Sequence, residues 1–598
     1  MKNPTEFGPR TRSGGKDLLR GKDTKYIYSR LWSYLSRYKL LLVLAILLST
    51  ASSVLGITGT SLAGNAIGAI AGDGEHGVFY YLGFMVVLYT LSTVISYLLS
   101  VLMISLSQKI VAKMRTDVYN NLIKLPVRFF DNKQAGEIVS TVSYDINTIG
   151  ESLSNDFVQI VSSIVTVVYS LILMMTVSLQ LVVVFIVTIP MSILFTKLIG
   201  KIVRPLFRAR SRTLGEMNGY VEEMIAGHKT IKLYGREAEV IRGFDEKNEK
   251  AAEAFIRAEA NGTMTGPTVN FINNLSLALV NIVGAVIYMR GTSLTLTGLS
   301  KFVLLSRKFS GPINQIANIY ADIQSALAAS ERVFRLIDEE PEKSDSDEAE
   351  VLGLTDGNVE LSEVRFGYNS DRVILNNLSF KAPAGSVVAI VGPTGAGKTT
   401  IINLLMRFYD IDSGEILIDG KSIYSVTRDS LRRAYTMVLQ DTWLFHGTIF
   451  ENVAYGREGT TLEEVIEVCR AAKIHSFIES LPMGYDTVLS ESAINISKGQ
   501  KQLLTIARAM LIDSNMLILD EATSNVDSKT ERDISDAMVS LMKNKTCFVI
   551  AHRLSTIRDA DVILVVKGGD VVEQGTHESL LGAGGFYSEL YHAQFDTV

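Results

Sequence analysis

Long apolar stretches that carry almost no charge are the feature that most constrains how this chain folds. A helix needs about 20 apolar residues to cross the ~30 Å hydrocarbon core of a bilayer. Four stretches of the first half are long enough and free of charge or nearly so: residues 40–72, 76–108, 157–196 and 260–289. The third holds two helices with a turn near Ser178 to Gln180, so the sequence predicts five membrane helices. The alternative, buried helices of a soluble domain, seldom supplies so many such runs.

The charges around the first apolar stretch indicate its orientation. The N-terminal arm is basic, with Lys2, Arg10, Arg12, Lys16, Arg20, Lys22 and Lys25. The connection Gly72 to Gly77 contains Asp73 and Glu75 and no basic residue. Because basic residues favour the cytosolic side, the N-terminus is predicted to be cytosolic and this connection external. Tyr26 to Tyr38 mixes apolar and basic residues at helical spacing, which predicts an amphipathic helix on the inner membrane surface.

A glycine-rich segment in the second half matches a phosphate-binding loop. Between the apolar strand Val387 to Val391 and a helix, the chain reads Gly392-Pro393-Thr394-Gly395-Ala396-Gly397-Lys398-Thr399, which fits G-x-x-x-x-G-K-[ST]. In such a loop backbone N–H groups surround the phosphates, the lysine neutralises the outer ones and the threonine hydroxyl binds Mg²⁺. These residues and the following Thr400 therefore predict an ATP site.

A second apolar strand ends in two carboxylates. Met516 to Leu519 leads directly into Asp520 and Glu521. Downstream of a phosphate loop, this order is typical of one acid that holds Mg²⁺ and a second that orients or deprotonates the water attacking the γ-phosphate. Asp520 is thus predicted to be a metal residue and Glu521 the catalytic base.

A sixth membrane helix follows from the ATP site. The C-terminal ATP-binding domain and the N-terminus both belong on the cytosolic side, so the number of crossings is even. The added helix is predicted between Leu296 and about Ile323, although it carries Lys301, Arg307 and Lys308. Charges in a span line a pathway or snorkel to the interface. Both remain open for Arg307 and Lys308, and snorkelling is favoured for Lys301.

The segment Asn495-Ile496-Ser497-Lys498-Gly499-Gln500 lies between the phosphate loop and the acidic strand. In this position it resembles the LSGGQ signature of the ABC transporters, and nearly the whole chain resembles the exporters of that family in which a membrane domain is fused to an ATPase domain. The resemblance implies a second subunit, because the signature caps the γ-phosphate of an ATP held by the opposite ATPase domain. Ser497, Gly499 and Gln500 would make that contact.

Other residues match the family by their order and spacing. The resemblance implies adenine stacking for Tyr368, contact with Mg²⁺ and the attacking water for Gln440, contact with the γ-phosphate for His552, and a subunit-crossing loop for Asp527. Phe129 to Glu137 and Tyr234 to Glu237 resemble the two coupling regions, which would dock on the ATPase domains near Gln440. Outside the family, each would be an ordinary strand-end or surface residue.

The signature departs from the family pattern. Lys498 replaces a glycine and Ile496 a leucine, and the preceding loop, Ser490-Glu491-Ser492-Ala493, has serine and alanine in place of glycines. Glu521 and His552 are intact. This combination resembles the subunit of bacterial heterodimeric multidrug exporters whose partner carries the intact signature and lacks the catalytic glutamate. A homodimer remains the alternative.

The predicted fold is an all-α membrane domain followed by an α/β phosphate-loop ATPase domain. The membrane domain covers residues 1–332, an acidic linker 333–357 and the ATPase domain 358–598. The six spans are expected near residues 40–62, 79–105, 157–178, 181–200, 267–289 and 296–323.

These assignments predict a multi-pass protein of the cytoplasmic membrane that uses ATP and Mg²⁺ to export hydrophobic or amphipathic molecules by alternating access, as half of a dimer. Drug, lipid and peptide substrates remain open. An ATP-gated channel or regulatory subunit of the same fold is the other alternative, and the intact Glu521 and His552 argue against it. Asn270, Asn273 and Asn274 offer polar contacts in the fifth span.

Charge and cysteine content exclude other classes. The net charge of −5, without a concentrated basic face, gives no indication of nucleic-acid binding. The two cysteines, Cys469 and Cys547, lack metal-ligand and C-x-x-C spacing and are predicted to be core thiols.

Overall fold

The computed structural model describes residues 23–72, 76–290, 294–369, 372–440, 442–489, 496–520, 527–551 and 554–595. These residues form two compact units. The first unit contains the residues up to Ile123 and Ala135–Glu339, and the second contains Lys124–Gln134 and the residues from Glu340 onward. The predicted fold class is confirmed, because the first unit is helical and the second combines strands with helices.

Long helices make up the first unit. In chain order the helices are α1 (Asp23–Ser36), α2 (Lys39–Ile70), α3 (Val78–Leu122), α4 (Val127–Asn132), α5 (Ala135–Ser140), α6 (Ile146–Glu151), α7 (Phe157–Val177), α8 (Leu179–Ala226), α9 (His228–Tyr234), α10 (Glu237–Gly262), α11 (Thr265–Met289) and α12 (Leu296–Ile337). Helix α4 belongs to the second unit. The π-helical turns Thr141–Asp145 and Ser152–Asp156 join α5, α6 and α7 into one helical run.

Several of these helices have the length and composition of membrane spans. In the described part of the chain, 4 helical runs qualify: Lys39–Ile70, Val78–Leu122, Ala135–Val177 and Glu237–Met289. The apolar stretch Leu179–Met191 at the start of α8 is shorter. Helix α12 carries Lys301, Arg307 and Lys308 in its first half. The fourth and sixth crossings therefore stay predictions.

Helices α2 and α12 approach closely because glycines of α2 face α12. A Cβ atom on Gly64 would lie 2.4 Å from Cγ of Lys301, and one on Gly68 would lie 1.8 Å from Oγ1 of Thr297. Small residues at such positions let membrane helices pack backbone against backbone. Lys301 is consequently packed against α2 and partly buried.

The amphipathic segment predicted for Tyr26 to Tyr38 is helix α1. Its apolar residues Ile27 and Tyr34 are buried, and Trp32 is 63% exposed. The Tyr34 hydroxyl donates to Asp117 over 2.8 Å. Tyr26 and Arg30 both donate to the carboxylate of Asp338 just after α12. Helix α1 is thus held against the first unit, and its position on a membrane surface remains a prediction.

The second unit alternates strands and helices. Its strands are β1 (Val359–Phe366), β2 (Leu375–Ala382), β3 (Val387–Val391), β4 (Ser413–Ile418), β5 (Lys421–Ser422), β6 (Tyr435–Val438), β7 (Gly447–Thr448), β8 (Val488–Leu489), β9 (Met516–Asp520), β10 (Thr546–Ile550), β11 (Val562–Lys567) and β12 (Asp570–Gly575). Its further helices are α13 (Lys398–Leu405), α14 (Arg428–Arg433), α15 (Ile449–Ala454), α16 (Leu462–Ala471), α17 (His475–Glu479), α18 (Lys498–Met510), α19 (Ser528–Met542), α20 (Leu554–Arg558), α21 (His577–Ala583) and α22 (Phe586–Phe595).

The main sheet has the strand order β12-β11-β3-β10-β9-β6, and the pairs from β11 to β6 are parallel. A smaller antiparallel sheet has the order β2-β1-β4-β5. The central strands β3, β10 and β9 are buried almost throughout, as continuous apolar runs in a parallel sheet require. Cys469 and Cys547 are both buried thiols, as predicted, and burial raises the pKa of each to about 12.

The linker predicted at 333–357 differs from the structure in two respects. Helix α12 continues to Ile337, because Val333, Phe334 and Leu336 are buried and extend its apolar face. The acidic stretch is also not simply solvated. Within the second unit Glu342 pairs with Arg432 and Asp345 with Arg428. Arg428 is only 7% exposed, and a buried guanidinium requires such counter-charges.

Candidate functional site

The phosphate loop predicted at Gly392 to Thr399 connects β3 to α13. The backbone geometry explains why this loop contains glycines. A Cβ atom on Gly392 would lie 2.2 Å from the carbonyl oxygen of Val566 on the adjacent strand. Gly395 and Gly397 have φ angles of +83° and +107°, which disfavour other residues. Pro393 and Thr394 are more exposed, whereas Ala396 is buried. The loop therefore curls tightly over the start of α13.

Lys398 begins helix α13 and bends back over its own loop. Its Nζ atom donates to the carbonyl oxygens of Gly392 over 2.7 Å and Pro393 over 3.1 Å. Burial lowers the pKa of Lys398, and the nearby carboxylate of Asp520 opposes that shift. No side chain caps α13, whose N-cap residue is Gly397. The N-terminal amides of this helix and a lysine ammonium thus converge on one small region, as phosphate binding requires.

The parallel strands bring two further predicted residues, Asp520 and Gln440, to the same edge of the sheet. Ile550, at the end of β10, is in register with Ile390 of β3 and with Asp520 of β9. Leu519 is in register with Val438 of β6, two residues before Gln440. Carboxyl ends of parallel strands share an edge, so the phosphate loop, Asp520 and Gln440 lie along one rim. Glu521 and His552 follow β9 and β10 in sequence and lie outside the described residues.

Tyr368, the predicted adenine-stacking residue, packs over helix α13. Its hydroxyl lies 3.2 Å from Oγ1 of Thr400 and accepts a hydrogen bond from Nδ2 of Asn403 over 3.2 Å. Its ring meets the ring of Tyr409 edge-on, with centroids 4.9 Å apart. Thr399 is exposed beside the loop, whereas Thr400 is only 5% exposed and its hydroxyl contacts Tyr368. Thr400, named as an ATP residue, is therefore engaged in positioning Tyr368.

The first coupling region packs beside the same tyrosine. Helix α4 belongs to the second unit. Arg128 Nη2 donates to the backbone carbonyl of Tyr368 over 3.0 Å, and the Tyr409 hydroxyl donates to the carboxylate of Asp131. Burial and this bond raise the pKa of Tyr409. The contacts described for this region are with Tyr368 and Tyr409, and docking near Gln440 stays a prediction. Sequence reasoning missed Tyr409, whose only signal was its place just after α13.

The second coupling region, Tyr234 to Glu237, lies in the first unit. Helix α9 ends there because Gly235 adopts the left-handed conformation with φ +61°. Lys232 bridges the turn to Glu237 over 2.9 Å. This region is a tight reversal between α9 and α10, and its docking remains a prediction.

The signature residues form a capped helix start. Ser497 Oγ accepts from the Gln500 N–H over 3.2 Å, and Gln500 Oε1 accepts from the Ser497 N–H over 2.9 Å. Lys498 is exposed at the first position of α18, and Gly499 is buried. Asn495 and the loop before it lie outside the described residues. Two of the three predicted signature contacts, Ser497 and Gln500, therefore bond to each other in the single chain.

Asp527 caps the next helix. Its Oδ1 atom accepts from the N–H groups of Lys529 over 3.2 Å and Thr530 over 3.0 Å, which starts α19. The hydrogen bonds from Thr530 lower the pKa of Asp527. Its expected contact with another subunit is not tested by one chain.

Arg307 and Lys308 line a cavity of about 870 Å³ in the first unit. Arg307 also lines a smaller one of about 200 Å³ with Asn273 and Asn274. Both cations thus lie on a cavity, and the choice between a pathway and an interface position stays open for them. Asn270, the third asparagine of the predicted fifth span, lines neither cavity among the described residues.

Comparison with known proteins agrees with this architecture. Residues 42–313 match the family model described as ABC transporter transmembrane region, and residues 375–524 match the model described as ABC transporter. The chain is 40% identical over 586 residues to the uncharacterized ABC transporter ATP-binding protein YfiC of Bacillus subtilis (strain 168), covering 98% of this chain and 97% of that protein.

Two further proteins resemble it over most of its length. A fatty acid ABC transporter ATP-binding/permease protein of Mycobacterium bovis is 45% identical over 486 residues, which is 81% of this chain and 76% of that protein. The solved structure of a bacterial Atm1-family ABC exporter with ATP bound superposes with a TM-score of 0.75 at 32% identity, covering 94% of this chain and 98% of the other. The chain therefore belongs to the ABC transporter family, as an exporter half-transporter that joins a multi-pass membrane domain to a cytosolic ATPase domain and functions as a dimer.

Proposed function

We propose that this chain is the ATP-hydrolysing half of an exporter for lipid-like amphipathic molecules. The observation that carries the proposal is the complete phosphate loop: Lys398 and the uncapped start of α13 converge on one region, with Asp520 beside them. The same chain contains helical runs long and apolar enough to cross a membrane. The mycobacterial relative that transports fatty acids supports a lipid-like substrate over a peptide.

Each of the predicted residues would have its own role in ATP hydrolysis at this site. Lys398 and the loop amides would bind the outer phosphates of ATP, and Tyr368 would pack against the adenine. Glu521 would accept a proton from the attacking water, Gln440 would orient that water, and His552 would hold the γ-phosphate in line. Closure of two ATPase domains around ATP would then move the membrane helices, and hydrolysis would reset them.

Mg²⁺ fits the residues at this rim. The Thr399 hydroxyl and the Asp520 carboxylate are hard oxygen donors of the kind that Mg²⁺ prefers, with Gln440 at the same edge. The electrostatic interaction between Asp520 and Lys398 indicates that this carboxylate is close to the loop. Bound Mg²⁺ would offset the phosphate charge.

A different chain is proposed as the second half of the dimer. Lys498 puts a long side chain where the glycine of the family signature lets the backbone approach phosphate, and its positive charge lies at the positive end of the α18 dipole, which disfavours a cation. Ser497 and Gln500 already satisfy amides of that helix start. A partner with an intact signature would complete the ATP site built on Lys398, and Lys498 would face a site that does not hydrolyse.

The membrane domain is proposed to have six crossings, near 40–62, 79–105, 157–178, 181–200, 267–289 and 296–323. Single cysteines placed in the connections and labelled from either side would test this order. The two native thiols are buried with a pKa of about 12, so they give little background. Labelling of residue 75 from the cytosol would contradict the proposed orientation.

The proposed activity is tested by reconstituting the purified chain into proteoliposomes, alone and with candidate partner chains. We expect lipid-stimulated ATP turnover that is lost in Glu521→Gln, which keeps ATP binding. Turnover that survives in Glu521→Gln would contradict the assignment of the base. A stable homodimer of this chain with brisk, lipid-stimulated turnover would contradict the heterodimer.

A further inference from the structure

Two cations of the first unit line an open cavity. Arg307 and Lys308 follow each other in α12, within the predicted sixth span, and both are exposed. They line the cavity of about 870 Å³ together with Gly311 and Pro312. In the described residues neither cation forms an ion pair. Ionisable residues at such positions are costly and mark substrate or ion pathways.

The rest of the cavity lining is rich in hydroxyl and amide groups. Asn155, Gln159, Ser162 and Thr166 follow one another at helical spacing and so form a single stripe along α7 and the turn before it. Ser53 of α2 also lines the cavity and donates to Ser162 over 3.4 Å. This wall offers hydrogen bonds to a polar group held by the cations.

The cavity carries a net positive charge. Its lining, as far as the structure describes it, contains Arg307 and Lys308 and neither aspartate nor glutamate. The acidic neighbour Asp156 follows Asn155, but it is 8% exposed and its carboxylate accepts a hydrogen bond from Ser152. Arg307 also reaches the smaller cavity lined by Asn273 and Asn274. An anion that enters from either cavity would meet the same guanidinium.

We propose that Arg307 and Lys308 form an anion subsite that selects amphipathic substrates with a carboxylate or phosphomonoester headgroup. The guanidinium offers paired N–H donors that match either headgroup, and the ammonium adds a point charge. Ile57, Ile104 and Val158 give the same cavity apolar surface for part of the tail. The subsite rests on the proposed export function. It goes beyond that function, because a positively charged subsite excludes lipophilic cations, a class that includes many drugs.

Four oleyl compounds that differ only in headgroup test the subsite: oleate, oleyl phosphate, oleyl alcohol and oleylamine. Their binding to the full chain, with its partner where one is needed, is measured in neutral phosphatidylcholine vesicles without ATP. ATPase stimulation is then measured in the same vesicles. We expect one or both anions to half-saturate at a concentration at least about tenfold below that of the alcohol, as a charge-assisted pair implies. The relative strength of oleate and oleyl phosphate identifies the headgroup.

Variants sharpen the comparison. Arg307→Gln with Lys308→Gln is expected to remove the preference for the anions and leave binding of the alcohol unchanged, and Arg307→Glu with Lys308→Glu to favour the amine. Lys301→Gln is the matched control, because Lys301 lies on the same helix but packs against Gly64. Equal binding of alcohol and anions, or tighter binding of the amine, by the unmodified chain overturns the subsite without any variant.

The ATPase measurements separate the two levels of the proposal. If the amine or the alcohol stimulates turnover as well as the anions do, the subsite is wrong and the export function stands. If no lipid stimulates turnover and Lys398→Ala hydrolyses ATP as fast as the unmodified chain, the export function fails, and the subsite fails with it.

Discussion

The helices that begin at Lys398 and Lys498 start alike in sequence and differently in structure. Helix α13 follows Gly397, with φ +107° and no side-chain cap. Helix α18 follows Ser497, with φ −66°, and a capping box joins Ser497 to Gln500. Both helices present a lysine at their first position. Only the first leaves its amides without competition from side chains.

This difference teaches what identifies a phosphate-binding helix start. Every helix begins with N–H groups that lack partners within the helix. A capping box satisfies two donors locally and stabilises the helix on its own, whereas a glycine loop leaves such donors to a ligand. A lysine at the first position is therefore a weak criterion, and the missing cap with its positive-φ glycines is a strong one.

Removing the lysine from each helix start is expected to give the largest difference in ATP turnover between α13 and α18. Lys398→Ala is expected to lower ATP turnover by about 10² or more, the scale on which one preorganised electrostatic contact acts. Lys498→Ala is the matched control and is expected to keep most of the turnover. ATPase rates of the reconstituted complex measure both. Equal losses of ATP turnover would show that the two helix starts contribute equally to hydrolysis.

Substitutions of the phosphate-loop glycines are expected to have the next largest effect. Gly392→Ala places a Cβ atom 2.2 Å from a backbone oxygen that cannot rotate away. We expect ATP affinity to fall by about tenfold or more, which corresponds to ~1.4 kcal/mol. Gly395→Ala is the control, since its Cβ meets nothing within 4 Å among the described residues and only its φ of +83° is strained. A larger loss at Gly395 than at Gly392 would contradict the tight loop.

Removing the cap of α18 has a smaller, local effect. Ser497→Ala leaves the Gln500 amide without its acceptor, and losing such a cap costs about 1 kcal/mol of helix stability. Hydrogen exchange at the start of α18 should quicken accordingly, with exchange in α13 unchanged. Unaltered exchange in α18 would mean that the capping box contributes no stability.

Replacing Lys498 with the glycine that the family has at this position is expected to have the smallest effect on turnover. In the proposed heterodimer Lys498 would face the site that does not hydrolyse, so Lys498→Gly should alter turnover by less than about threefold, within the ~1 kcal/mol of a surface charge contact. The turnover of the complex with its partner measures this. An increase far above that range would place Lys498 in a hydrolysing site.

Local patterns predicted the core of the ATPase domain well. The strand before the phosphate loop runs from Val387 to Val391 as expected, because an apolar run followed by a glycine loop has few alternatives. The spacing of Ser497 and Gln500 is that of a capping box, whereas the resemblance to a signature implies phosphate contacts for the same residues.

Contacts between distant segments were beyond sequence reasoning. The pairing of Asp131 with Tyr409 joins residues 278 positions apart. The acidic linker is ordered by Arg428 and Arg432, whose burial depends on the packed domain. The position of Arg307 and Lys308 on a cavity depends on which face of α12 meets α2 and α7. No local sequence pattern predicts which faces of these helices pack together.

The central claim is that ATP bound by the start of α13 drives lipid movement. Its most direct test measures ATP hydrolysis and the movement of a fluorescent fatty acid in the same proteoliposomes, with the unmodified chain or Lys398→Ala in the complex. We predict that both activities are present together and that both are lost in Lys398→Ala. Movement of the fatty acid that continues without ATP hydrolysis in Lys398→Ala would contradict the claim.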